Sequence, residues 1–338
     1  MSKSALAEQH PWTLPWWRAD GDNFWTMIYI VAIHTLAAVG LLLFPLPGWK
    51  VFGTALAITV LGGFGTTIGF HRGLAHRAVK LNPVVEQFLI FFAVFNGSGS
   101  PSTWIANHRN HHANSDTVDD VSSPRHGGFW WAHLRWLYQW EPSSMKKWCP
   151  DIMRPRYTLW TKVQIPLVAT SLCFGYFLFG WAGFFWIGAI RMLYSLHMQC
   201  FVNSLLHLKA DLAEGADSSQ NIWWLGPLQV AAWGENWHGN HHDRPASACF
   251  SRHWWQVDIG WYVICGLEAM VSPQTSGADC CSAIVMLQNF FVGPALIGHD
   301  CRTDLAQPDA MPPSGAAQDE APRFLINDER RAVKMRTR

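Results

Sequence analysis

Charge is scarce in this chain. Asp, Glu, Lys and Arg supply 14% of 338 residues, against roughly 25% in ordinary soluble domains. Net charge is +1 with histidine neutral, so no bias of either sign points to nucleic acid as a partner. The eight cysteines (Cys149, Cys173, Cys200, Cys249, Cys265, Cys280, Cys281 and Cys301) contain no CxxC spacing and no regular framework. They are expected to be buried or unpaired thiols in a reducing compartment, not disulfides or metal ligands. Met1–Asp22 is polar and Trp-rich and lacks a basic region leading into a short apolar core, so no cleaved signal peptide is read there. No internal repeat is visible.

Apolar residues, by contrast, make up 49%, and tryptophan reaches 21. Indole has an apolar body and one polar N–H, which suits a lipid–water boundary. Phe24 to Phe44 is an apolar stretch of about the 20 residues that cross a bilayer as a helix. Pro45, Pro47 and Gly48 make a turn, and a second stretch, Val51 to Phe70, ends directly on His71. Ile165 to Phe179 leads through Gly180-Trp181-Ala182-Gly183 into Phe184 to Leu206, with the first arm able to extend back to Trp160. The expected fold is therefore all-α and integral to a membrane, with four transmembrane helices in two hairpins (about 24–44, 51–70, 162–180 and 184–206).

The chain then divides into an N-terminal segment, 1–23, a membrane domain, 24–271, and a C-terminal segment, 272–338. Val84 to Phe95 is too short to span and is expected to be buried or re-entrant. Val285 to Ile297 is similarly short, and Pro308 to Ala321 reads as a flexible tail. Lys and Arg concentrate at the N-terminus, in 72–162 and after 207, while the two hairpin turns hold only Lys50. The positive-inside rule then places both termini and the large polar segments in the cytoplasm, as a helical cap.

Half of the sixteen histidines fall into three clusters: His71-Arg-Gly-Leu-Ala-His76, His108-Arg-Asn-His111-His112 and His238-Gly-Asn-His241-His242. On a helix, positions i, i+3 and i+4 share a face, so each of the last two would turn three imidazoles to one point. Two copies of one spacing, on one membrane face, fit a single polynuclear metal site. Neutral imidazoles in such number suit iron, copper or zinc rather than calcium or magnesium. His10, His34, His126, His133, His197, His253 and His299 are expected to be packed or hydrogen-bonded residues instead. A transporter would place ionisable groups deep within its spans, where this chain has only His34, His197 and Arg191. A haem protein needs only two axial ligands per haem.

HRGLAH, HRNHH and HGNHH resemble the three histidine boxes of the membrane fatty-acid desaturase family. The flanks agree. Gly65-Thr66-Thr67-Ile68-Gly69-Phe70 and His76-Arg77 resemble the stearoyl-CoA-type and bacterial acyl-lipid branch, as does Phe201-Val202-Asn203-Ser204-Leu205-Leu206-His207. Trp233-Gly234-Glu235-Asn236-Trp237 precedes the third box much as a Gly-Glu pair does in those enzymes. The resemblance covers about residues 60 to 265.

It implies an O2-dependent oxidoreductase that inserts a cis double bond into a long acyl chain, at a mid-chain position such as the ninth carbon. Two non-haem iron ions would be held by His71, His76, His108, His111, His112, His207, His238, His241 and His242, with Asn203 acting through a water. Asp116, Asp119, Asp120 and Glu235 are candidates for holding the ligands' outer N–H groups. Trp104, Phe129, Trp130, Met192 and Trp233 are candidates for the floor of an acyl tunnel. Hydroxylation, acetylenic bond formation or terminal-alkene formation would use the same boxes, because the outcome depends on ångström-scale placement of the methylene. Asp243-Arg244-Pro245 and Ala113-Asn114-Ser115-Asp116 depart from the family pattern near where the acyl carrier is held. The carrier (lipid, CoA or carrier protein) is therefore open. No His-Pro-Gly-Gly haem signature appears, so electrons are expected from a separate ferredoxin or flavin-containing reductase. The implied setting is a bacterial inner membrane.

Overall fold

The computed structural model describes residues 10–19, 21–209, 213, 216–228 and 233–271. The expectations for 272–338, including the short apolar run, the tail, His299, Cys280, Cys281 and Cys301, lie outside the described residues. Among the described residues every regular element is helical, and an isolated bridge joins Asn221 to Trp237.

Helix α1, Phe24–Leu43, contains few polar side chains, and two of them bond back into the helix: His34 Nδ1 lies 2.7 Å from Ile30 O, and Thr35 Oγ1 donates to Val31 O at 2.9 Å. Such internal satisfaction is what an apolar surrounding demands. A proline-rich turn with Gly48 at φ +85° leads to α2, Trp49–Phe64. The helix does not stop at the first histidine. It runs on as a π-helical stretch, Gly65–Ala75, closed by His76 N–H donating to His71 O at 3.0 Å. Polar residues do not end it because this stretch is enclosed: Phe70, Leu74 and Ala75 share a buried core with Ile90, Ala93, Ile105 and Ala106. Insertions of π geometry in α-helices recur at functional sites.

That core belongs to two 13-residue helices, α3, Pro83–Phe95, and α4, Pro101–Ala113. Both open with proline at the first turn behind a capping side chain. Asn82 Oδ1 accepts from Val84 N–H at 2.9 Å, and Ser100 Oγ from Thr103 N–H at 3.3 Å.

Helix α5, Pro155–Gly183, breaks at Phe179–Gly180, where Gly180 takes φ +61°. That left-handed backbone is open to glycine at little cost. The chain reverses here, earlier than the four-residue turn expected, and Trp181 is already helical. The two arms touch backbone to backbone: a Cβ on Gly175 would lie 2.1 Å from Gly183 O. The first arm also starts ahead of residue 162, because Tyr157 is buried in the α3–α4 core. A second π stretch, Phe184–Ile190, leads into α6, Arg191–Ser204. Short α7, His238–Asp243, and α8, Ile259–Val271, follow, with Ile264 of α8 packed on Ile68 and Leu89.

Among the described residues three helical stretches are long and apolar enough to cross a membrane: Phe24–Leu43, Trp49–Ala75 and the broken Pro155–Ser204. Leu42, Leu46 and Phe177 are each more than 80% exposed, which water would penalise and lipid would not. The protein is a membrane protein.

Candidate metal centre

Four elements deliver histidines to one end of the helices. The π stretch supplies His71, with His76 just beyond it. Helix α4 supplies His108, His111 and His112, and α7 supplies His238, His241 and His242. His207 follows α6 by three residues. Both HxxHH segments are helical, so the i, i+3, i+4 face forms as the spacing requires.

The nine rings make two groups, each with its nitrogens within 4.8 Å of one another. His71, His76, His108, His112 and His241 form one, and His111, His207, His238 and His242 the other. Within the first, Nε2–Nε2 separations are 3.0 Å for His71–His241, 2.7 Å for His76–His108 and 3.1 Å for His112–His241. In the second they are 3.3 Å for His111–His242 and 3.0 Å for His207–His238. Two nitrogens about 2.1 Å from one ion, at right angles, stand roughly 3 Å apart. Trp104 stacks on His108 with ring centroids 4.8 Å apart, and Phe250 packs on His241 at 4.5 Å.

Carboxylates stand behind four of the rings. His111 Nδ1 meets Asp120 at 2.8 Å, His207 Nδ1 meets Asp116 at 3.2 Å, His242 Nδ1 meets Asp217 at 2.6 Å and His71 Nδ1 meets Glu235 at 2.9 Å. Thr67 Oγ1 also donates to Glu235. Such pairs fix ring orientation and raise ligand basicity. Asp119 is exposed and takes no such part. Asp217 was not singled out from the sequence; it lies in a polar stretch with no motif of its own.

These contacts test whether a metal fits. With Nδ1–H given to Asp120 and Asp217, neutral His111 and His242 turn only lone pairs toward each other. A cation between them resolves that repulsion. Burial first, then the neighbouring imidazoles, pushes His76, His108, His112, His238 and His241 well below their ordinary pKa of 6.5. Burial likewise lowers His242 to about 4, partly offset by Asp217. Neutral rings are what a metal requires. At His111 burial opposes the charged form, but Asp120 prevails and the pKa rises. Burial would raise Asp116 and Asp217, yet His207 and His242 hold them well below the carboxylate range. Four carboxylates also match the charge of two divalent ions. The donor set fits two transition-metal ions.

A cavity of about 1060 Å³ opens onto the rings. His71, His108, His111 and His238 line it, as does Asn203. Trp104, Met192 and Trp233 also line it. Phe129 and Trp130 are not among its lining residues; they pack around His133 instead, at 5.1 and 6.0 Å between centroids. Tyr29, Gly97 and Met192, which also line the cavity, converge: a Cβ on Gly97 would meet Tyr29 Oη at 2.8 Å and Met192 Cε at 3.3 Å. Asn203 and Met192 are both on α6, and their sequence separation corresponds to roughly 16 Å of helix.

The remaining histidines among the described residues stay apart from this centre. His10 stacks on Trp12 and His253 on Trp255, and Trp12 also stacks on His126. His34, His197 and His133 form a row. Ile30 O lies 2.7 Å from His34 Nδ1, and His34 Nε2 lies 3.1 Å from His197 Nε2. His197 Nδ1 lies 2.8 Å from His133 Nε2, and His133 Nδ1 2.9 Å from Ser204 Oγ.

The sequence profile described as fatty acid desaturase matches residues 47–264. Among similar proteins, Delta-9 acyl-lipid desaturase 1 of Arabidopsis thaliana is 32% identical over 76% of this chain and 83% of its own length. The sn-1 stearoyl-lipid 9-desaturase of a Synechocystis strain is 32% identical over 71% of this chain and 76% of its own. The Acyl-CoA C20 Delta5-desaturase of Anemone leveillei is 32% identical over 76% and 81%.

Proposed function

The chain belongs to the fatty acid desaturase family, and we propose that it inserts a cis double bond near the ninth carbon of a long acyl chain at a histidine-held di-iron centre. It is a fatty-acyl desaturase, an oxidoreductase. The position rests on the names of the acyl-lipid and stearoyl-lipid relatives. The observation that carries the metal reading is the Nε2–Nε2 approach of rings whose outer nitrogens are already committed to carboxylates.

In this reading His71, His76, His108, His112 and His241 hold one iron, and His111, His207, His238 and His242 the other, with Asn203 contributing through a water. The irons would supply the oxidising power, drawn from O2 and two external electrons, that removes hydrogen from an unactivated methylene. The chain's own residues position that methylene. Trp104, fixed against His108, and Trp233 wall the cavity beside the rings, and Tyr29, Gly97 and Met192 form its floor. The length between Asn203 and Met192 suits the distal half of a long acyl chain. The broken Pro155–Ser204 stretch makes two crossings, giving four spans, with the histidines on the cytoplasmic face.

The test is a fatty-acid profile of a host lacking desaturase activity, with and without this gene, with double bonds located by mass spectrometry. A new mid-chain monounsaturated species, lost in His111→Ala, is expected. No new unsaturation from an iron-loaded protein with a competent electron donor would overturn the reading. Replacing Met192 by Trp should shorten the accepted chain, and by Ala lengthen it. An unchanged product profile from both variants would show that the floor lies elsewhere.

A further inference from the structure

The rim of the cavity carries its own chemistry. Asn23 Nδ2 donates to Trp140 O at 2.8 Å and so joins the start of α1 to the segment that carries Trp136, Trp140 and Glu141. Asn23, Trp25 and those three residues all line the cavity, and Trp25 and Glu141 are exposed. Glu141 makes no ion pair or hydrogen bond among the described residues. No Lys or Arg is among the described residues that line the cavity; its carboxylates are Glu141 and Glu235, the latter already held by Thr67 and His71.

We propose that the acyl chain is presented on a lipid with an ammonium headgroup, and that CoA thioesters are poor substrates. This deepens the reading of the cavity as the acyl channel and rests on it. A CoA carrier brings several phosphate charges, which proteins grip with Arg and Lys. The exposed cations Arg77, Lys80, Lys146, Lys147, Arg154 and Arg156 are not among the lining residues. A free carboxylate beside indole faces favours the opposite charge, as in aromatic sites for quaternary ammonium. The Trp136 indole N–H is buried without a partner among the described residues, which leaves a donor for an ester or phosphate oxygen. Exposed Ile28 and Ile165 also line the cavity. It therefore opens where α1 and α5 face lipid, and a bilayer-resident substrate reaches it without entering water.

The full-length iron-loaded protein is reconstituted and supplied with the same stearoyl chain on phosphatidylcholine, on phosphatidylglycerol or on CoA. Phosphatidylcholine should turn over about ten-fold faster than stearoyl-CoA, and Glu141→Lys should cut the choline-to-glycerol preference by about ten-fold. Unchanged preference in that variant, or stearoyl-CoA as the best substrate, overturns the headgroup inference and leaves the desaturase reading intact. Native mass spectrometry of retained ligand reads the same preference without turnover. Retention of stearoyl-CoA over phosphatidylcholine overturns the inference even if no chain is desaturated. The channel itself is judged separately, by the Met192 variants.

Discussion

Asp116 sits at φ +59°, a left-handed backbone that Asp and Asn tolerate better than other side chains. Fully buried, it accepts from His207 Nδ1, from Ser123 Oγ at 2.6 Å and from Ser218 N–H at 2.6 Å. Asp116→Asn keeps the backbone preference but turns an amide NH2 toward one of these donors. Metal affinity should fall about 10- to 100-fold, the range for lost partners of metal-bound histidines. Metal content after challenge with a graded chelator reads this, and Asp119→Asn should match the parent. At this scale the second and third boxes are legible because i, i+3, i+4 spacing is a local property of a helix. Asp116, Asp120 and Glu235 are visible as acidic neighbours of boxes. Asp217 is not, because its pairing with His242 is set by tertiary folding across a stretch of unpatterned polar residues.

The apolar stretches announce helices through composition and length, and Pro45, Pro47 and Gly48 announce the first turn. Neither signal reveals that α2 continues through His71, since only burial by α3 and α4 lets a helix carry that many polar groups onward. The reversal at Gly180 is likewise a matter of backbone contact. Gly175→Ala would press a methyl into the carbonyl of Gly183 and should cost about 1–3 kcal/mol, read as a lower melting temperature in detergent. Near the end of the π stretch, Asp151 accepts from Arg109 at 2.7 Å and from Arg77 at 2.7 Å. Burial would raise its pKa, but the two guanidiniums hold it below the ordinary 3.8. The unfolded chain therefore takes up the proton first as pH falls. The pair's contribution is complete above 3.8 and is lost as pH drops through the lower folded-state value. Melting curves of the parent and Asp151→Asn should converge across that window; parallel curves would remove Asp151 from the account.

Taken whole, the molecule hangs its histidine end from the ends of separate helices, so a metal held there would also be a cross-link among them. Removing iron from the folded protein should lower the melting temperature, and restoring iron should recover it. An unchanged midpoint would mean that the carboxylates and Arg72–Asp258, paired at 2.9 Å in the interior, hold the end together unaided. The row His34–His197–His133 links α1, α6 and the π-helical stretch Trp131–Arg135, and it has a direction. Ile30 O can only accept, so His34 must carry its proton on Nδ1, His197 on Nε2 and His133 on Nε2. The Ser204 hydroxyl, which also reaches Cys200 O at 2.9 Å, must then turn toward His133. Burial, and then His197, lowers His133 to about 4, so that ring stays neutral. Flipping one tautomer alone sets two lone pairs or two protons face to face. Reversing all three would still turn a His34 lone pair onto Ile30 O, so the row keeps one direction, and Ser204, next in sequence to Asn203 of the cavity wall, keeps it with them.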